Sequence, residues 1–374
     1  MTKINVPVST PDLSGNEEAY LVDALRSTWI SSSGKYVDRF ESEFAGLVGT
    51  RYASSAANGT VALHLALVAL GVGRGDEVII PAFTYVAVAN AVIYTGARLV
   101  LVDVDPHTWC MDPTKIEASI TSQTRGVIAV HNYGHPCDMD AINKIARSFK
   151  LWVMEDAAEA HFATYKGRTA GSLADIATFS FYGNKVITSG EGGALTYNDE
   201  SLHHRIRMLR SQGMDRTRRY YYPIIGYNYR LTNIACALLC AQLERWKGMV
   251  ARRNAIFKSY SSRLSPIPGI GLQPVAAWAS PSPWLYCITV DESLFDVNRD
   301  TLAVRLHDHG IETRPFFVCI HQMPPYQQHG GAESFPVSEQ LSRDGMNLPT
   351  FHGMTDDTVD QVCTIIEAIH LRGA

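Results

Sequence analysis

Between the apolar run DIATFSF at residues 175–181 and the glycine-rich stretch GEGG at 190–193 stands one lysine, Lys185. Other lysines, such as Lys144, Lys150 and Lys166, fall in polar settings where a solvated surface role is ordinary. Lys185 instead follows what reads as a buried strand and precedes a glycine turn into another, so it is expected at the mouth of a sheet. An amine held there loses hydration, falls below its ordinary pKa of about 10.4 and becomes a nucleophile toward carbonyls.

A lysine of that kind needs a carbonyl partner, and the chain offers the remaining parts of a pyridoxal phosphate site. Asp156 ends the run LWVMED, where a carboxylate could pair with a protonated pyridine nitrogen and strengthen the ring as an electron sink. An aspartate there serves equally as a helix cap or strand-end residue. Asn58, Gly59 and Thr60 open an apolar helix, GTVALHLALVAL, whose free N–H groups and dipole make an anion site that glycine lets a phosphate approach. Tyr85 could stack on a planar ring or pack in the core, and Ser180 could bond the phosphate. Each part alone is ambiguous; their order along the chain is much harder to obtain by chance.

These residues need a scaffold. With 374 residues, 46% hydrophobic and 19% charged, the chain can bury a sizeable core. From about residue 50 to 200, short apolar runs alternate with helical segments, which predicts a mostly parallel sheet with helices on both faces. DEVIIP, ARLVLVDVD, GVIAVHNYG and LWVMED are nearly continuous in apolar residues, as strands covered on both faces should be. Ligands of such sheets bind beyond the carboxyl ends of the strands, which gathers His131, Glu155, Asp156 and the 180–185 segment. A long helical segment beginning at Thr232 leads through a proline-rich stretch to WLYCITV, a helix near residues 298–310 and IETRPFF, which suggest a smaller α+β unit. The expected division is a large α/β unit over 1–245 and a small C-terminal unit over 246–374.

The net charge of −4 gives no basic field for nucleic acid. No apolar run reaches the length of a membrane span, and the N-terminus has no apolar core of a leader. Seven scattered cysteines without a C-x-x-C pair argue for reduced thiols, so the cytoplasm is the expected compartment.

The stretches AANGTVALHLAL, GDEVIIPAFTYVAVANAV, VMEDAAEA, FSFYGNKVITSGEGG and GYNYRLTNIACA resemble the DegT/DnrJ/StrS sugar aminotransferases over nearly the whole chain. The resemblance implies the type I pyridoxal phosphate-dependent aminotransferase fold and a homodimer with shared active sites. It implies Lys185 as the Schiff-base lysine and proton shuttle, Asp156 as the partner of the pyridine nitrogen and Glu159 as the residue near the ring hydroxyl. Gly59, Thr60 and Ser180 match the phosphate cradle, Tyr85 the stacking aromatic and Asn228 a phosphate contact supplied by the other subunit. Ser31, Arg219, Arg314 and His321 lie in stretches that resemble substrate-side motifs. The implied substrate is a nucleotide-linked keto-sugar, with GDP-4-keto-6-deoxymannose favoured through STWISSSGKYVDRFE, YGHPCDMDAI, RRYYYPIIGYNYR, ETRPFF and GMNLPT, and the implied amino donor is glutamate. Arg216, Arg218 and Arg219, beside a run of tyrosines, are candidate donors for its diphosphate. His131-Asn132, His161-Phe162 and Val318-Cys319 depart from the family stretches and could border the sugar pocket.

Other readings stand beside this one. A dehydratase of the same family would carry histidine in place of Lys185, whereas a 3-aminotransferase or an enzyme for another nucleotide would use the same parts. His131-x-x-x-His135 with Asp138 has a spacing possible for a metal-dependent hydrolase, but it falls in a strand-end loop and no zinc-like cysteine pair accompanies it. A cofactor-binding sensor would add a DNA-binding or receptor segment.

Overall fold

The computed structural model describes residues 5–215, 217–329 and 334–373. Seven strands form the main sheet in the order Tyr52–Ala56, Gly193–Tyr197, Ile176–Ser180, Trp152–Asp156, Thr124–Val130, Glu77–Pro81 and Arg98–Val102. The pairings from Ile176–Ser180 to Arg98–Val102 are all parallel. Gly193–Tyr197 alone runs against its two neighbours.

Both faces of this sheet are covered, which is why its strands read as apolar runs. Val78, Ile80 and Ile128 pack with helices Gly59–Ala69 and Ala87–Tyr94 on one face. Ile79, Val127 and Val153 pack with helix Met139–Phe149 on the other. That second face continues under helices Lys35–Val48 and Asn233–Leu264, where Phe40, Phe44, Phe179, Phe181 and Cys236 meet. The alternation follows from the two-residue period of a strand.

A second, antiparallel sheet joins Ile270–Leu272, Tyr286–Val290, Gly345–Leu348 and Arg314–Pro315 in that order. Its core includes Ile288, Met346, Leu302 and Ile366, and takes in Ile256 and Tyr260 from the far half of helix Asn233–Leu264. That 32-residue helix starts on the side-chain cap of Thr232, whose hydroxyl accepts the Ala235 N–H, and runs unbroken through positions 245 and 246. It therefore belongs to both cores. All seven cysteines are buried and unpaired, and among the described residues no helix is long and apolar enough to cross a membrane.

Candidate active site

The carboxyl ends of the parallel strands open into a cavity of about 690 Å³ walled by residues of the main sheet and of the second sheet with their flanking segments. Asn58, Gly59, Thr60, Tyr85, Asp156, Glu159, Ser180 and Lys185 line it from the side of the main sheet, and Trp284, Arg314, Phe317 and Asn347 from the second sheet and the segments beside it. The volume suits a cofactor with part of a substrate. A cavity of about 770 Å³ lies elsewhere, beside helix Pro336–Asp344. Its two lining arginines, Arg299 and Arg343, are paired with Asp300 and Asp344, and no lysine, histidine or cysteine is among its lining residues.

Strand alternation separates two adjacent acids. Asp156 faces the cavity, its Oδ1 accepting the Ala158 N–H at 3.0 Å. Glu155 turns the other way and accepts the N–H groups of Gly171 and Leu173, each at 2.7 Å. It also accepts Nε2–H of His131 at 3.0 Å; the Cys137 N–H donates to Nδ1 of the same ring, which fixes that tautomer. Glu155 is thus a structural acid.

Lys185 sits in a turn held between two strands. Phe181 bonds to Gly192 and Ser189 through backbone groups, and the Thr188 hydroxyl donates to the Phe181 carbonyl. Burial lowers the Lys185 amine from its ordinary value, with Glu159 and Asp156 pulling the other way. Burial raises the Asp156 carboxyl, opposed by its bond to Ala158 and by Lys185. The Glu159 carboxyl is pushed up to about 7 by burial, against Lys185 and the Tyr133 N–H, which donates to it at 2.7 Å. Such displaced titrations around one amine mark a reactive centre.

At the opposite end of the cavity, Asn58 caps helix Gly59–Ala69 by accepting the Val61 N–H at 3.0 Å. Ala62 bonds to the Asn58 carbonyl, so among the described residues the N–H groups of Gly59 and Thr60 are left toward the cavity. A Cβ on Gly59 would stand 2.8 Å from the Ser180 Cβ, and one on Gly193 would stand 2.4 Å from the Asn58 carbonyl oxygen. Two glycines thus keep the cradle open and the strand close beneath it. An anion site at one end, a buried carboxylate at the other and an amine with a depressed pKa between them fit a phosphorylated pyridine aldehyde.

The remaining expected residues are spread more widely. Tyr85 is exposed at the rim, its ring 5.5 Å from that of Phe317. Arg314 reaches the cavity from the edge strand Arg314–Pro315 of the second sheet, 3.9 Å from Glu312. Ser31, Arg219, Asn228 and His321 do not line it. The Ser31 carbonyl accepts the Asn233 N–H at 2.6 Å, and Asn228 accepts from Arg230 at 3.2 Å. Arg218 and Arg219 lie over Tyr221 and Tyr220 on an exposed loop, while Arg216 lies outside the described residues. His321 is buried against Glu339 at 3.2 Å.

None of the three departing pairs lines the cavity either. Asn132 bonds the Phe83 and Trp109 carbonyls at 2.8 and 3.0 Å, and His161 is buried between Phe179 and Phe181. His135 donates to the Pro136 carbonyl and accepts the Ala276 N–H, and Asp138 caps helix Met139–Phe149. Among the described residues no group of three such side chains is placed to hold a metal ion. Sequence reasoning missed Trp284, whose ring lies against Lys185, because an aromatic opening an apolar strand reads as core.

Residues 11–367 match the model of the DegT/DnrJ/EryC1/StrS aminotransferase family. The chain is 46% identical over 365 residues to a GDP-perosamine synthase of Caulobacter vibrioides, covering 97% of this chain and 98% of the relative. It is 42% identical over 368 residues to a GDP-perosamine synthase of Escherichia coli O157:H7, with 98% of each covered. The crystal structure of DesV from S. venezuelae superposes with a TM-score of 0.91 at 34% identity, covering 99% of both chains. The chain belongs to the DegT/DnrJ/EryC1/StrS aminotransferase family, enzymes that work with pyridoxal 5′-phosphate.

Proposed function

We propose that this enzyme moves an amino group onto a nucleotide-linked keto-sugar, GDP-4-keto-6-deoxymannose, to give GDP-perosamine, with glutamate as the donor. The identity of 46% across nearly the full length of a GDP-perosamine synthase carries the choice of sugar. The donor's amino group replaces the ketone oxygen of the sugar, and the donor leaves as a 2-oxo acid. When bound, the cofactor supplies an electron sink for the carbon next to the transferred nitrogen.

The chain's own residues do the rest. The N–H groups of Gly59 and Thr60, with Ser180, would hold the phosphate, and Tyr85 would cover the ring. Asp156 would hold the proton on the pyridine nitrogen, and Glu159 would serve the ring hydroxyl. Lys185, kept below its ordinary pKa, takes the proton from the donor carbon and returns one to the sugar carbon. Arg314 is the cation that this chain brings to the cavity from the small unit, and it is suited to a carboxylate or a phosphate.

Asn228, Arg219 and Ser31 are exposed and outside the cavity of their own chain, which supports a homodimer in which they complete the partner's site. His321, buried against Glu339 and outside the cavity lining, is assigned to the support of the site. Residues 1–245 form the cofactor-holding unit and 246–374 the smaller one, with helix Asn233–Leu264 shared. The unpaired thiols support a cytoplasmic setting.

The experiment supplies purified protein with pyridoxal phosphate, glutamate and a panel of nucleotide keto-sugars, and identifies the product by mass and NMR. A 4-amino sugar from the GDP substrate is expected. Amination of only a TDP or UDP sugar, or at C3, overturns the choice of substrate. Lys185→Ala and Lys185→Arg should lose both the visible absorbance of the loaded enzyme and turnover, since a guanidinium cannot act as a neutral amine. Catalysis retained by the alanine variant would overturn the role of Lys185.

A further inference from the structure

The nitrogen of Lys185 lies 3.9 Å from the centroid of the Trp284 ring. Among the described residues that nitrogen has no hydrogen-bond acceptor, and Asp156 and Glu159 act on it through charge alone. The indole face is therefore the nearest group that stabilises the ammonium, and indole is the strongest of the aromatic faces for a cation.

The ring is held for this contact from two sides. Trp284 is 4% exposed, and its Nε1–H donates at 3.0 Å to the carbonyl of Asn184, the residue before Lys185. The ring is thus keyed to the turn that carries the lysine, although Trp284 itself comes from the small unit. Its own carbonyl accepts from the buried Arg253 at 2.8 Å, and Tyr133 lies nearly parallel to it, 14° away in plane at 6.1 Å between centroids. Any buried indole N–H needs an acceptor, and here the acceptor is the carbonyl beside Lys185, so the same bond that satisfies the ring also fixes it against the lysine's turn.

We propose that Trp284 is a positioning residue for Lys185, its indole face receiving the ammonium whenever that nitrogen is free of its covalent partner. The contact steadies a flexible four-carbon chain at the cavity wall between its two proton transfers. A ring face holds a cation less firmly than a carboxylate contact does, so the nitrogen can still give its proton up. The inference rests on the reading of Lys185 as the lysine of the transamination.

The test uses the full chain stripped of cofactor and follows the acetylation of Lys185 by acetic anhydride against pH, with peptide mass as the readout. Loss of the ring in Trp284→Leu should move the midpoint of the Lys185 profile down by roughly half to one pH unit. Trp284→Phe restores a ring face and should recover most of that shift. Multiply fluorinated tryptophan at position 284 keeps shape and N–H but drains the face, and should move the midpoint the same way by less. If the leucine variant does not fold, the fluorinated residue decides. Coincident midpoints, or an upward shift, overturn the proposal. Failure of the transaminase reading shows separately, as turnover surviving in Lys185→Ala.

Discussion

Asp156 and Gly59 both line the cavity and are proposed to hold opposite ends of the cofactor, so their substitutions should fail in different ways. Asp156→Asn keeps the size of the side chain and leaves the N–H groups at residues 59 and 60 untouched, but no longer holds a proton on the pyridine nitrogen. It should retain cofactor and lose on the order of 100-fold in kcat, the scale of removing one preorganised electrostatic contact. Gly59→Val does the reverse. Its Cβ would start 2.8 Å from the Ser180 Cβ, so the cradle must open and the phosphate must withdraw. The cofactor Kd should rise roughly tenfold, within the worth of about 1–2 kcal/mol for a partly buried helix-end contact. Equilibrium dialysis with pyridoxal phosphate beside kcat at saturating cofactor separates the two. Normal turnover in Asp156→Asn would make that residue structural.

The cradle depends on a clamp formed between elements. Glu41, on helix Lys35–Val48, accepts from the N–H and hydroxyl of Ser55 at 2.9 and 2.8 Å, two residues before the turn into the Gly59 helix. It also meets buried Arg210 at 2.6 Å and the more open Arg207 at 2.9 Å. Burial raises the Glu41 carboxyl, but Arg210 and Arg207 outweigh it and hold it below 4.5. Glu41→Leu strands the Arg210 charge and should cost about 3–5 kcal/mol, whereas Arg207→Ala should cost under about 1 kcal/mol. Because the carboxyl is depressed in the fold, its contribution is complete above the unfolded value and is lost as pH falls through the folded one. Urea unfolding should therefore show the gap between wild type and Glu41→Leu closing below pH 4.5. This clamp was not legible in the sequence, where Glu41 looks like one more acid on an amphipathic helix. Strands and their polar ends were legible, because burial on both faces leaves apolar runs that stop at Asp156 and Ser180. The reversed direction of Gly193–Tyr197 was not, since alternation carries no direction. Trp284 was hidden for a related reason: a contact from a distant strand leaves no local spacing to read.

At the scale of the whole molecule, the residues that resemblance assigns to the site but that lie away from the cavity share one property, exposure, with His321 the exception. Ile225 is 92% exposed, Tyr220 72% and Trp29 59%, beside Asn228, Arg219 and Ser31 respectively. Large apolar groups left open beside residues of expected function suit a face that a second copy covers. If so, Asn228 completes the partner's phosphate cradle and one chain cannot build a full site. The decisive measurement mixes two inactive variants. Lys185→Ala removes the amine, and Asn228→Asp places a carboxylate where a phosphate is expected. In a mixed dimer with shared sites, one site carries both lesions and the other carries neither. Activity should return on mixing toward a quarter of that of the same total wild-type protein, since random exchange makes half of the dimers mixed and each has one intact site of two. Were Asn228 to serve its own chain, every site in the mixed dimer would hold one lesion and the mixture would stay inactive. Heterodimer exchange, followed by native mass spectrometry of differently tagged chains, must accompany the assay. With exchange shown and no activity recovered, Asn228 belongs to the site of its own chain.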